Sequence, residues 1–231
     1  MSLGNPNSNG SVREGMHPTG ITILDEEVLR GVPEGSTIAI LGDPDSASEM
    51  ILHSLASTGR RTEYVSTLRP EYGLMDDIKR VAGNDADTDE IEENVTIRDV
   101  RNNTDNLGDT LRKSVQIADD GNLIVDSFSS HHDNPKDMLS LARRVYTKTK
   151  QNGGLTYLYF TATKTEDLNR HEREILQMVD GVFNVRTNIV GTDQIENNLF
   201  INKLRGIDIP SEAQTLVFGE GLTIDVTADI G

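Results

Sequence analysis

A single α/β domain with a mostly parallel sheet is predicted by three features. From Thr19 onward, short β-branched runs alternate with helical segments. After Asp180 the character changes to strands alone, joined by short polar turns. The length of 231 residues suits one domain of this class rather than two. The sheet is therefore expected to be flanked by helices and to finish with antiparallel strands at its C-terminal end.

Residues 1–17 are rich in Gly, Asn and Ser and lack apolar periodicity, so they read as a flexible leader to one domain over 18–231. Strands are predicted over 37–41, 62–66, 95–99, 123–126 and 156–161, with helices between and after them over 47–58, 72–82, 107–118, 135–151 and 168–179. Four further strands follow over 181–190, 198–204, 214–218 and 222–226, with Gly219, Glu220 and Gly221 as a hairpin turn. Residues 84–94 hold six acids and little that is apolar, which predicts a solvated loop.

The chain carries 38 acidic and 22 basic side chains, a net charge of -16, and neither Cys nor Trp. Zero Cys excludes disulfides, thiolate metal sites and cysteine nucleophiles. Neither a membrane span nor a signal-peptide core is visible, so a soluble, cytoplasmic protein is expected, with no membrane partner. The acids are 22 Asp and 16 Glu and the bases 15 Arg and 7 Lys, a balance that predicts a halophilic source. In molar salt the Debye length falls to about 3 Å and self-repulsion is screened.

In sheets of this kind ligands bind beyond the carboxyl ends of the strands, so the turn after the first long strand is the first candidate site. It reads Gly42, Asp43, Pro44, Asp45, Ser46, Ala47, Ser48, Glu49. A phosphate loop needs glycines for backbone approach, a Lys on the phosphates and a hydroxyl on Mg2+, and only Gly42 fits that pattern. Asp43, Asp45 and Glu49 place carboxylates where phosphates would sit. At 4 Å, opposed unit charges cost about 4 kcal/mol at an effective dielectric of 20. Ser46 and Glu49 have the spacing of a capping box, which would satisfy the helix start without a ligand.

Residues 19–25, 31–36, Tyr64-Val65-Ser66, Ile124-Val125-Asp126-Ser127 and Lys203-Leu204-Arg205-Gly206 resemble, in order and spacing, KaiC-like members of the RecA superfamily. The resemblance spans roughly residues 18–228 and implies a RecA-like P-loop fold, an archaeal source and ATP held between subunits of rings or filaments. Where that family has Gly, Lys and Ser or Thr, this chain has Ala47, Ser48 and Glu49. The family's paired water-activating glutamates fall on Leu68 and Arg69.

Asp126 occupies the position of the family's Walker B acid. It is expected either to cap the next turn or to hold a divalent ion with Asp43 or Asp45. His131, His132 and Asp133 lie just beyond, with no spaced partner that would make them a metal site. Lys203 and Arg205 match a pair that, in the family, reaches a neighbouring subunit's γ-phosphate. Here they are expected at an interface with the neighbour's acidic loop, or at an exposed strand end. Arg143, Arg144, Lys148 and Lys150 form the densest basic cluster, either a solvated helix face or a docking patch for an acidic partner.

These residues predict a catalytically degenerate KaiC-like protein, with no catalytic residue and no resident cofactor, that binds, assembles or regulates. Its expected partner is itself, an active KaiC-like homologue or a regulatory protein. The alternative is a weakly hydrolysing ATPase that binds ATP and Mg2+ through an unconventional loop. Nucleic acid is not expected, because no basic aromatic stripe is present.

Overall fold

The computed structural model describes residues 12–43, 46–84, 86–102, 107–128, 135–190, 194–219 and 221–225. Strands β1 (Met16–His17) and β2 (Val32–Pro33) form a small antiparallel ribbon. The main sheet contains β3 (Thr37–Gly42), β4 (Thr62–Ser66), β5 (Val95–Asp99), β6 (Asn122–Val125) and β7 (Leu155–Thr161). It continues with β8 (Gly181–Val190), β9 (Gln194–Leu204), β10 (Gln214–Phe218) and β11 (Leu222–Ile224). Among the described residues its nine strands lie in the order β11-β10-β9-β8-β3-β7-β6-β4-β5. From β8 to β5 every neighbour is parallel. β8, β9, β10 and β11 pair antiparallel, as expected for the end of the sheet.

The central strands are buried on both faces, which is why they read as runs without polar alternation. Along β3, Ile38 and Ile40 enter one core, while Ala39 and Leu41 enter the other. The first core takes Ile51, Leu52 and Leu55 of α1 (Ser48–Ala56), Leu74 and Ile78 of α2 (Glu71–Ala82) and Ile91 of α3 (Thr88–Asn94). The second takes Leu107 and Leu111 of α4 (Leu107–Ala118), Ala142 and Val145 of α5 (Pro135–Asn152) and Ile175 of α6 (Arg170–Met178). Two layers of helices thus sandwich the sheet.

Two expectations need correction. Helix α3 fills the last seven residues of the segment expected to be a solvated loop. The Asp87 carboxylate accepts from the amides of Asp89 and Glu90, and Ile91 anchors the turn in the core. Met16 and His17, which the sequence reading places in a flexible leader, instead pair with Pro33 and Val32. Thr19 and Gly20 follow at once, and their amides both donate to the buried Asp25 carboxylate. Burial pushes Asp25 above the ordinary carboxylate range, and these bonds pull it back. Residues 1–11 lie outside the described residues.

Candidate functional site

Strand β3 ends at Gly42, and α1 begins at Ser48, so the intervening turn stands at the carboxyl end of the sheet. A Cβ on Gly42 would come within 2.3 Å of the Ser48 Cβ and Oγ, so the glycine is required by the close approach of Ser48. Ser48 is buried. Its hydroxyl donates to Tyr159 Oη at 3.0 Å, and Tyr159 in turn donates to the Gly42 carbonyl at 3.3 Å. Ser46 closes the turn, its hydroxyl 2.7 Å from the Asp43 carbonyl. Asp43 Oδ2 accepts from Thr163 Oγ1 at 2.8 Å. Pro44 and Asp45 lie outside the described residues.

The expected capping box is absent. Ala47 is the N-cap of α1, and Ser46 Oγ accepts from the Ser48 amide, 3.4 Å away, where a capping box would have it accept from the Glu49 amide. The Ala47 amide instead donates to Asn197 Oδ1, 3.2 Å away, and Thr187 Oγ1 donates to the same oxygen at 3.0 Å. Asn197 arrives from β9, in the antiparallel part of the sheet. Glu49 turns away because a guanidinium is within reach: its Oε2 lies 3.4 Å from Arg69 Nη1. An ionic partner is a stronger attraction for a carboxylate than a neutral amide.

Arg69 stands just after β4 and also pairs with Asp77 of α2 through Nη2. Leu68, beside it, is 48% exposed and lies at the surface. Asp126 follows β6 and is buried. Its Oδ1 accepts from the Thr67 amide at 2.7 Å and the Thr67 hydroxyl at 2.8 Å, and its Oδ2 accepts from Ser66 Oγ at 2.8 Å. Ser66 Oγ also accepts from the Arg69 amide, which links this bracket to the same turn. Burial pushes the Asp126 carboxyl upward, opposed by the hydrogen bonds it accepts.

Lys203 and Arg205 lie elsewhere. Lys203 pairs with Val182 near the start of β8, at the end of the sheet remote from Gly42. Lys203 Nζ donates to the carbonyls of Leu176, Gln177 and Val179 at the end of α6. A cation there complements the helix dipole. Burial lowers the Lys203 pKa, and neighbouring Arg205 lowers it further. Arg205 donates to the Gln177 carbonyl at 3.1 Å and pairs with the buried Asp180 carboxylate at 3.4 Å. Asp180 also takes Lys150, 3.1 Å away, and the Thr37 amide. Within one chain the two cations are thus held by α6 and Asp180 and do not meet the Asp43 turn. His131, His132 and Asp133 lie outside the described residues, and no metal-binding group of three acids or histidines occurs among the described ones.

The sequence reading missed Asn197, Tyr159 and Thr163. No local signal marks them, since Asn197 and Tyr159 reach the turn through strand register and Thr163 from just past the end of β7. The chain adopts a KaiC-like RecA fold: the KaiC-like protein PH0186 of the hyperthermophilic archaeon Pyrococcus horikoshii OT3 superposes with a TM-score of 0.73. That match covers 93% of this chain and 99% of the other at 19% identity. The chain belongs to a family of unknown function (DUF7125), whose model matches residues 16–231. No curated protein matches it. No helix among the described residues is long and apolar enough to cross a membrane.

Proposed function

We propose that this chain is a catalytically degenerate member of the KaiC-like fold, a binding, assembly or regulatory module that does not hydrolyse ATP. The observation that carries this reading is the ion pair between Glu49 and Arg69. It joins the position where the resemblance expects the magnesium hydroxyl to the position where it expects a water-activating glutamate. That the two positions are ionic partners supports joint change at both rather than drift at one.

The surrounding donors support the same reading. A triphosphate would need the amides at the start of α1, and the Ala47 amide already has Asn197 as its acceptor. Ser48, where the phosphate lysine would stand, is turned inward onto Tyr159. Asp126 accepts three hydrogen bonds from Ser66 and Thr67, and burial disfavours its charged form. That donor set does not fit a magnesium triphosphate, so no catalytic step is assigned to it. The Asp-rich composition supports, as part of the same proposal, work in concentrated salt and an archaeal halophilic source.

Titration with labelled ATP and Mg2+ in concentrated KCl tests the reading. The expected result is no saturable binding and no turnover above background. Turnover that disappears in Asp126→Ala would overturn it.

A further inference from the structure

Helix α5 packs between α4 and α6 on one face of the sheet and buries Met138, Ala142, Val145 and Thr149. Its outer side is cationic. The helix holds five basic residues and one acid, Asp137, in a chain whose net charge is -16. Ser140, Arg143, Arg144, Thr147 and Lys148 line a shallow surface cavity of about 380 Å³. They recur at i, i+3, i+4, i+7 and i+8, which is one stripe along a helix, and the stripe rises about 12 Å. Every residue of the lining is polar, so charge and hydrogen bonds, not apolar burial, define what fits it.

The chain does not neutralise this stripe itself. Among the described residues no ion pair engages Arg143, Arg144 or Lys148. The acids of the flanking helices are engaged elsewhere: Asp109 of α4 by Arg112, Glu174 of α6 by Arg170, and Glu172 of α6 by the Asn169 amide. Asp137 stands in the first turn of α5, before the stripe, where a negative charge favours the helix dipole. Lys150, beyond the other end, is drawn off by Asp180 and the Tyr146 ring. Arg144 and Lys148 are one turn apart and of like charge, an arrangement that weakens the helix carrying it. The counter-charge that would relieve it comes from outside the chain.

We propose that the α5 stripe is the docking surface for an acidic helix of a different protein, one whose carboxylates recur at i, i+3, i+4 and i+7. Charge complementarity and matched spacing carry the proposal. Arginine suits the role, since its planar fork takes a carboxylate through two parallel bonds. No helix among the described residues of this chain supplies such a row. The most acidic, α3, spans seven residues with a rise of about 10 Å, and its Glu92 is held by Lys79. On α2, Asp77 is held by Arg69 and Arg80. A single-stranded nucleic acid is disfavoured as occupant, because no aromatic side chain lines the cavity for a base to stack on. The surface gives the binding role proposed above a location and a class of partner, and rests on that reading only for its purpose. ATP binding by the wild-type protein would overturn the nucleotide reading and leave the docking result standing.

Fluorescence anisotropy of the full chain with three labelled probes tests the surface, in about 0.5 M KCl so that diffuse attraction is screened while pairs closed on contact persist. The first probe is a peptide of about 18 residues, long enough to hold a helix, with glutamates in one stripe at the stated spacing. The second is the same peptide scrambled, and the third is oligothymidylate of equal length. The striped peptide is expected to bind saturably, and the scrambled peptide about tenfold more weakly. Arg143→Gln/Arg144→Gln/Lys148→Gln should weaken the striped peptide about tenfold and leave the native circular dichroism unchanged. Should that variant lose its native spectrum, Arg144→Gln alone is expected to weaken the same peptide about threefold. Absence of saturable binding, equal binding by a folded variant, or equal binding of the scrambled peptide would each overturn the proposal. Oligothymidylate that binds as tightly and is lost in the variant would assign the stripe to a phosphate backbone instead. Wild-type self-association in sedimentation that the variant abolishes would make a second copy the occupant, and either result overturns the proposal.

Discussion

His53 lies one helical turn beyond Glu49 and shows what a single buried side chain contributes. It is buried beside Tyr64, with ring centroids 6.4 Å apart. Burial lowers its pKa to about 4 from the ordinary 6.5, with Arg69 adding to the shift and Asp77 opposing it. The folded state therefore binds a proton less readily than the unfolded chain. Its contribution to stability is full above pH 6.5 and is lost as pH falls toward 4, by roughly 3 kcal/mol in total. Asp25 and Asp126, both raised by burial, act with the opposite sign, so the informative quantity is the difference between wild type and a His53 variant. Urea denaturation across this window should show wild type losing stability on acidification relative to His53→Phe. Parallel curves for the two proteins would refute the assignment.

Helix α3 shows at the scale of an element what a charge run conceals. Six acids in residues 84–94 suggest solvated coil, yet acids in a first turn favour the helix dipole, and Asp87 supplies the cap. Asp87→Ala is expected to cost about 1 kcal/mol and to raise amide exchange across Thr88–Asn94 while leaving β5 protected. Exchange unchanged from wild type would show that Ile91 alone holds the element. The same distinction explains what was legible in the candidate site. Gly42 and Asp126 were readable because each closes a strand whose run of apolar residues is visible locally, and Arg69 because the resemblance expects a glutamate at its position. Asn197 and Tyr159 were not, because they meet Ala47 and Ser48 across separations of 150 and 111 residues. The capping box failed for a related reason: local spacing named Glu49 a partner, and Arg69, from the next strand's end, was the stronger one.

At the scale of the whole molecule, excess charge opposes compaction. The 38 acids outnumber the bases by 16, and the acids are mainly the short Asp. Two exposed carboxylates 10 Å apart repel by about 0.4 kcal/mol in water, little for one pair but cumulative over a surface. Among the described residues ion pairs engage Glu49, Glu63, Asp77, Glu92, Asp99, Asp109, Glu174 and Asp180, while Asp89, Glu90 and Glu93 have no ion-pair partner there. Raising KCl from about 0.1 M to 3 M shortens the Debye length from about 10 Å to below 3 Å, so the folded state should gain and the melting temperature rise. Salts also strengthen apolar burial, and that effect would raise the melting temperature of any protein. The two causes separate in Glu93→Gln, which removes one charge without an ion-pair partner from the last turn of α3 and leaves the core untouched. That variant should melt above wild type at low salt and approach it at high salt. A melting temperature of wild type that stays flat or falls with KCl would refute the charge argument, and identical salt slopes for the two proteins would assign the rise to burial instead.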